Sequence, residues 1–283
     1  MPFPIPDKYS SEAADVARDE RKRRVSPPSF FFAQTQALLL SAGYFKNDRL
    51  VTSARGGVAN KHRNRIGSAL FGQVMASFEF CIKDFIAQII DSSDVFDETV
   101  NQCKWIDVDK SRVLAQRDFA GSVGALLIHP LLGWHDTEEL NQRFQALFQY
   151  QLLEKDEAHK LQRLWIIRHS VAHNGGFVTH HDAYRLQAPS LREAAIEMDL
   201  EFLRDTADFL RSVVLKLEHG KPIGDRVIGE WISKKATGTW PEDKVAYTRV
   251  RSIVTVVRQR TQDLPKVTKG TYSADRNRVT GAS

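Results

Sequence analysis

At 283 residues, with 42% hydrophobic and 27% charged residues and a net charge of +5, the chain is long enough to bury a proper core and has the composition of a soluble globular protein. No uninterrupted apolar stretch approaches the roughly 20 residues of a membrane helix, and the N-terminus lacks the apolar core and small-residue cleavage site of a secretory signal; a cytoplasmic location without membrane contact is expected. Cys81 and Cys103 form no C-x-x-C pair and lie among large apolar residues, which sets aside a disulfide framework and structural zinc.

Residues 1–28 are polar and charged and end in Ser26-Pro27-Pro28, which reads as a flexible N-terminal arm. A short apolar helix is predicted from Phe30 to Tyr44, and Gly56-Gly57 with the polar stretch from Asn60 to Asn64 separates it from the next element. The strongest periodicity lies in RIGSALFGQVMASFEFCIKDFIAQIID, residues 65–91, where Ile66, Leu70, Val74, Phe78, Ile82, Phe85 and Ile89 recur at three- and four-residue spacing. This predicts a long core helix. At about 100° per residue Glu79 falls on the arc of Met75, Ile86 and Ile90, where a carboxylate needs a partner to offset the cost of burial.

Shorter helices are expected at 109–117 and 120–128. Leu140, Phe144, Leu147, Phe148 and Leu152 then make one amphipathic stripe, with Asp136 or Thr137 as its N-cap. The next helix begins near Lys155 and buries Leu161, Leu164, Trp165, Ile167 and Val171. Asn174-Gly175-Gly176 stops it, since asparagine and glycine tolerate the left-handed conformation past a helix end. A short extended segment, GFVTHHDAYRL, leads to another helix at 191–218 that Gly220 and Pro222 close. Residues 225–234 read as a short helix, and VAYTRVRSIVTVVRQR fits strand or helix equally. The organisation expected is an arm (1–28), a helical domain (29–223), an extension of open structure (224–264) and a disordered polar tail (265–283). The fold class is all-α, a helical bundle.

Chemistry concentrates in RLWIIRHSVAHNGGFVTHH, residues 163–181. His169 and His173 lie one turn apart on one helix face, whereas Arg168 is offset from His173 by about 140°, so the three converge only if the helix ends there. A helix C-terminus carries partial negative charge and favours the protonated form of a histidine in its last turn. Arginine offers a planar cation that suits phosphate, and imidazole can take or give a proton. These are the parts needed to cleave an RNA phosphodiester without a metal.

Arg168, the polar His169, three residues and His173 resemble the R-x(4–6)-H motif of HEPN domains, the higher eukaryotes and prokaryotes nucleotide-binding helical bundles. Asn174 and Gly176 resemble the continuation seen in bacterial members, and Phe78-Glu79 with Lys83-Asp84 is similar to the FE-x-x-x-KD stretch that precedes it. The resemblance covers roughly residues 64–218. It implies a HEPN-like bundle of four to five core helices and a cofactor-free, metal-independent endoribonuclease of the toxin or anti-phage defence type. It also implies a homodimer with two motifs in one composite site, and a regulatory or antitoxin protein as a further partner. Arg168 is then the phosphate ligand, His173 the general acid or base and His169 the polar motif residue, with Asn174 in support. Glu79 is expected to pair with Arg168 across the bundle, and Lys61, Arg63 and Arg65 in the basic stretch 55–65 to capture RNA.

Two other readings compete. His169 and His173 have the spacing of a zinc pair, but Ser170 stands where H-E-x-x-H requires its glutamate, and a third ligand would have to come from His180, His181 or Asp182. Alternatively the chain is a catalytically silent HEPN-like module that binds RNA or a partner protein. No phosphate-loop motif occurs.

Overall fold

A computed structural model of the chain describes residues 26–47, 56–116, 122–129, 133–256 and 267–281, the side chains of 44–47 and 56–62 excepted. Its helices, in chain order, are α1 (Pro27–Asn47), α2 (Gly56–Ser92), α3 (Asp97–Gln102), α4 (Lys110–Leu114), α5 (Val123–Ile128), α6 (Thr137–Phe148), α7 (Lys155–His173), α8 (His180–Arg185), α9 (Leu200–Leu215), α10 (Pro222–Lys234), α11 (Lys244–Val254) and α12 (Lys269–Thr280). The fold is all-α: among the described residues, extended pairing is confined to one isolated bridge, Phe177 with Ala195. No helix of the described residues is long and apolar enough to cross a membrane.

The periodic segment at 65–91 becomes the axis of the molecule. Its apolar arc buries Phe71, Val74, Met75, Phe78, Ile82, Phe85, Ile86 and Ile89 in one continuous core, each burial worth about 1.5–3 kcal/mol relative to exposure. Around it, Phe31 of α1 meets Phe78 edge to face at 6.0 Å, Phe148 of α6 meets Phe85 at 6.1 Å and Phe202 of α9 meets Phe71 at 5.4 Å. Gly124 lets α5 lie backbone to backbone on α2, since a Cβ there would come 2.0 Å from the carbonyl oxygen of Ala87.

Local chemistry explains the helix ends. Asp136 caps α6 by accepting from the amides of Glu138 and Glu139 at 2.8 and 3.0 Å, as its sequence position predicts. Asp199 caps α9 through the Phe202 amide at 2.8 Å, which sets the start at Leu200 rather than at 191. The intervening residues are occupied elsewhere: the amide of Glu193 donates to Val178 and that of Ile196 to Gly176.

Several expectations need correction. Ser26 to Pro28 are buried, and α1 starts at Pro27, where prolines in the first turn lose no helical hydrogen bond; the rest of the expected arm lies outside the described residues. α2 runs through Gly56-Gly57 and Asn60 to Asn64 instead of stopping short of them. The segment expected to be extended after Gly176 turns into α8 at Thr179, whose hydroxyl accepts from the Asp182 amide. The ambiguous basic segment is helical to Val254, and residues 224–254 share the core through Val227, Ile228, Trp231, Tyr247, Val250 and Ile253 rather than forming an extension. The described part of the tail is the helix α12, held by buried Tyr272 and Asp275.

Candidate active site

The helix that carries the motif is tied down at both ends. At its start Glu154 and Glu157 form a reciprocal capping box, and Lys216, the residue that follows α9, reaches Glu157 at 2.5 Å. At its end the Ser170 carbonyl accepts from the amides of Asn174 and Gly176 at 3.0 and 3.1 Å. Gly175 and Gly176 take φ of +65° and +91°, the left-handed region that glycine enters without a Cβ clash. The expected Asn-Gly-Gly stop is therefore where the helix ends.

A buried carboxylate underpins this turn. Asp182 of α8 receives the hydroxyls of Ser170 and Thr179 at 3.0 and 3.1 Å and the Asn174 amide at 3.4 Å. Three neutral donors satisfy it in place of a cation. Asn174 thus serves the candidate site from beneath, by holding the turn.

On the outward face, His169 and His173 are both exposed, their rings tilted at 44° with centroids 4.7 Å apart. Arg168 is half-buried on the adjoining arc and makes no side-chain hydrogen bond or ion pair among the described residues. The helix keeps α geometry through His173, so its ending does not swing the three side chains together. The structure brings the two histidines together and leaves Arg168 beside them.

Glu79 does not pair with Arg168. Its partners are Lys83, one turn along α2 at 2.8 Å, and Nε2 of His135 at 2.9 Å, a residue in the loop before α6. Burial pushes the Glu79 carboxyl up, but Lys83 and His135 more than offset it and hold the group below the ordinary carboxylate range. His135 also meets Trp165 of α7 edge to face at 5.1 Å. Sequence reasoning missed His135: it lies 56 positions from Glu79, and no local spacing joins them.

Arg63 and Arg65 are exposed on α2, while the side chain of Lys61 lies outside the described residues. They stand at the motif's end of the bundle: Asn64 accepts from the Met198 amide at 3.1 Å, and two residues earlier Ile196 bonds to Gly176 in the turn after α7. His180 and His181 are exposed on α8, with His180 3.9 Å from Glu193. Among the described residues no three histidines, cysteines or carboxylates are grouped to hold a metal ion.

A second concentration of histidine and arginine is built differently. Asp275 of α12 is approached by His219 Nε2 at 2.9 Å, the Tyr247 hydroxyl at 2.5 Å, Arg251, and Arg278 at 3.3 Å. Burial raises the Asp275 carboxyl, yet His219, Tyr247 and Arg251 together lower it below the usual range. Asp243 is lowered in the same way, its burial outweighed by Tyr272, Thr237 and Gly238. Burial and Asp243 push Tyr272 up to about 12. No family model, curated protein or solved structure matches the chain.

Proposed function

We propose that the chain is a metal-independent endoribonuclease of the HEPN type, acting through Arg168, His173 and His169. The observation that carries this reading is the exposed His169–His173 pair, rings 4.7 Å apart, beside an arginine that no carboxylate of the described residues engages. A guanidinium left without an internal partner is available to a phosphate, which it can grip with two donors. Arg63 and Arg65 at the same end add positive charge along an RNA backbone, with Lys61 on the preceding turn.

In the reaction, a neutral imidazole takes the proton of the ribose 2'-hydroxyl and the 2'-oxygen attacks phosphorus. The bond from phosphorus to the 5'-oxygen breaks, and a protonated imidazole gives its proton to that oxygen. The products are a 2',3'-cyclic phosphate and a 5'-hydroxyl. Arg168 offsets the charge that builds on the phosphoryl oxygens. His173, on the last turn of α7, is the acid in this scheme, and α2, α6, α7 and α9 correspond to the core helices of a HEPN-like bundle. The chemistry needs a second proton-transfer group, which the family resemblance places on a second copy of the chain.

The test is incubation of purified protein with mixed single-stranded RNA in EDTA. Cleavage is expected to survive the chelator and to be lost in Arg168→Ala and His173→Ala. Intact RNA throughout, with retarded bands in a gel shift, would instead leave a silent RNA-binding module.

A further inference from the structure

Phe177 and Tyr184 are the two exposed rings among the described phenylalanines, tyrosines and tryptophans, 55% and 83% open to solvent. They lie seven positions apart, one in the turn after α7 and one on α8. The other exposed large apolar side chains, Leu40, Val108, Leu126 and Val245, are aliphatic and scattered along the chain. Isolated apolar residues at a surface are ordinary, whereas two rings kept in water within one short segment mark a place where something binds.

Phe177 is held rather than loose. The Val178 amide donates to Ala194 at 3.1 Å, the Val178 carbonyl accepts from Glu193 at 2.8 Å, and the Ile196 amide donates to Gly176 at 3.3 Å. Gly176 and Val178 are buried, and alternation along this short ribbon turns Phe177 outward. The Phe177 amide donates to Asn174 at 3.2 Å, so its backbone stands within about 10 Å of the His173 Cα. α8 lies against the same side of α7: Ile166 packs with Val178, Ala183 and Leu186, and Ser170 reaches Asp182. At about 100° per residue His173 falls about 20° from Ile166 and about 60° from Ser170, which puts its imidazole on the side of α7 that α8 covers, just past the contact. On α8, Asp182 and Ala183 face inward, while His180 and Tyr184, four residues apart, share the outer face.

The charge around the rings suits an anion. From Arg163 to Arg192 the chain carries four arginines and one carboxylate, Asp182, which is buried beneath three neutral donors. Glu193, just beyond, stands 3.9 Å from His180. Single-stranded nucleic acid offers phosphates to the cations and a flat base face to each ring.

We propose that Phe177 and Tyr184 are the base-stacking platform of this site and set its substrate class, RNA with unpaired bases. With a phosphate at His173, an adjoining base lies over Phe177, and Tyr184 takes another base further along the strand. Bases in a duplex stack on one another and are closed to both rings, so loops and single strands are bound in preference to paired RNA. In a two-copy site each copy brings its own platform. The placement of the strand rests on the ribonuclease reading proposed above, while stacking is read by binding alone.

The experiment measures binding in EDTA by fluorescence anisotropy, with the full chain carrying His173→Ala so that the RNA stays intact. The probes are a labelled RNA single strand, the same strand with abasic positions, and its duplex. Phe177→Ala and Tyr184→Ala are each expected to weaken single-strand binding by about 5- to 150-fold, with no further loss on the abasic strand or the duplex. Phe177→Trp and Tyr184→Phe keep a ring and are expected to keep the affinity. Phe177→Leu keeps apolar bulk without a ring and is expected to lose it, which guards against a poorly folded alanine variant. Single-strand affinity within about twofold of the parent in the doubly substituted chain overturns the platform, whether or not the wild type cuts RNA. Equal losses on the abasic strand, or a parent that binds duplex as tightly as single strand, overturn it as well. A shift from dimer to monomer in sedimentation of the double variant assigns the rings to a protein interface and overturns it. Ring-dependent binding by a wild type that cuts nothing keeps the platform and removes the ribonuclease reading alone.

Discussion

Around Asp275 and at the end of α7 the chain gathers the same residue types, histidine and arginine, and treats them in opposite ways. His219, Arg251 and Arg278 converge on one largely buried carboxylate, and the Tyr247 hydroxyl completes its shell. Arg168, His169 and His173 face outward, and the carboxylate nearest to them in sequence, Asp182, is turned inward to Ser170, Thr179 and Asn174. The first arrangement spends its charge on holding α12 to the bundle. The second leaves positive charge and titratable nitrogen to whatever arrives from solution. Internal pairing, more than residue identity, separates a latch from a candidate site.

The largest expected effects divide the two regions. Arg168→Ala and His173→Ala are expected to lower RNA cleavage by about 10² to 10⁴-fold with little change in melting temperature. Asp275→Ala is expected to cost about 1–3 kcal/mol, because it removes the shared acceptor of half-buried His219 and Arg251 and of the buried Tyr247 hydroxyl, while cleavage per folded molecule is retained. Thermal unfolding followed by circular dichroism, beside the cleavage assay, reads both; a melting temperature unmoved by Asp275→Ala would erase the distinction.

Acid sharpens it further. Asp275 and Asp243 both have folded carboxyls below their ordinary values, so the stability they contribute is present above roughly pH 4, the unfolded value, and is lost as pH falls through the folded values. Urea midpoints are expected to drop in that window for the wild type and to flatten in Asp275→Asn. An intermediate effect is expected at Asp182→Ala, which takes the carboxylate acceptor from the buried Ser170 hydroxyl at about 1–3 kcal/mol; amide exchange at Val178 and Ile196 is expected to quicken first. The smallest effect belongs to the outer basic stretch. Lys61→Glu with Arg63→Glu is expected to weaken RNA binding and flatten its salt dependence, and an unchanged salt slope would remove those residues from the interface.

Legibility in the sequence followed how local the physics is. α2 and α7 were readable because a long apolar arc repeats within one helix, and the Asn174-Gly175-Gly176 stop because left-handed backbone favours those residues. α12 was not readable. Its burial rests on Tyr272 and Asp275 amid polar neighbours, and their partners Asp243, His219 and Tyr247 lie 28 to 56 positions away. Glu79 shows the boundary well: its arc correctly demands a partner, yet the partners are Lys83, one turn away in plain view, and His135, which only the folded chain brings near. The exposed histidine pair was legible from the i, i+4 spacing. The position of Arg168 was misjudged because the helix keeps its geometry to the end.

The anchoring of α7 at Glu157 and at Ser170 makes the helix a measuring rod with both ends fixed to the frame. Deleting one residue between Trp165 and His169 would turn every mark beyond it by about 100°, carrying both exposed imidazoles to a different side of the helix while leaving composition and charge almost untouched. Length within that one turn, more than any single side chain outside it, sets which way the exposed pair faces.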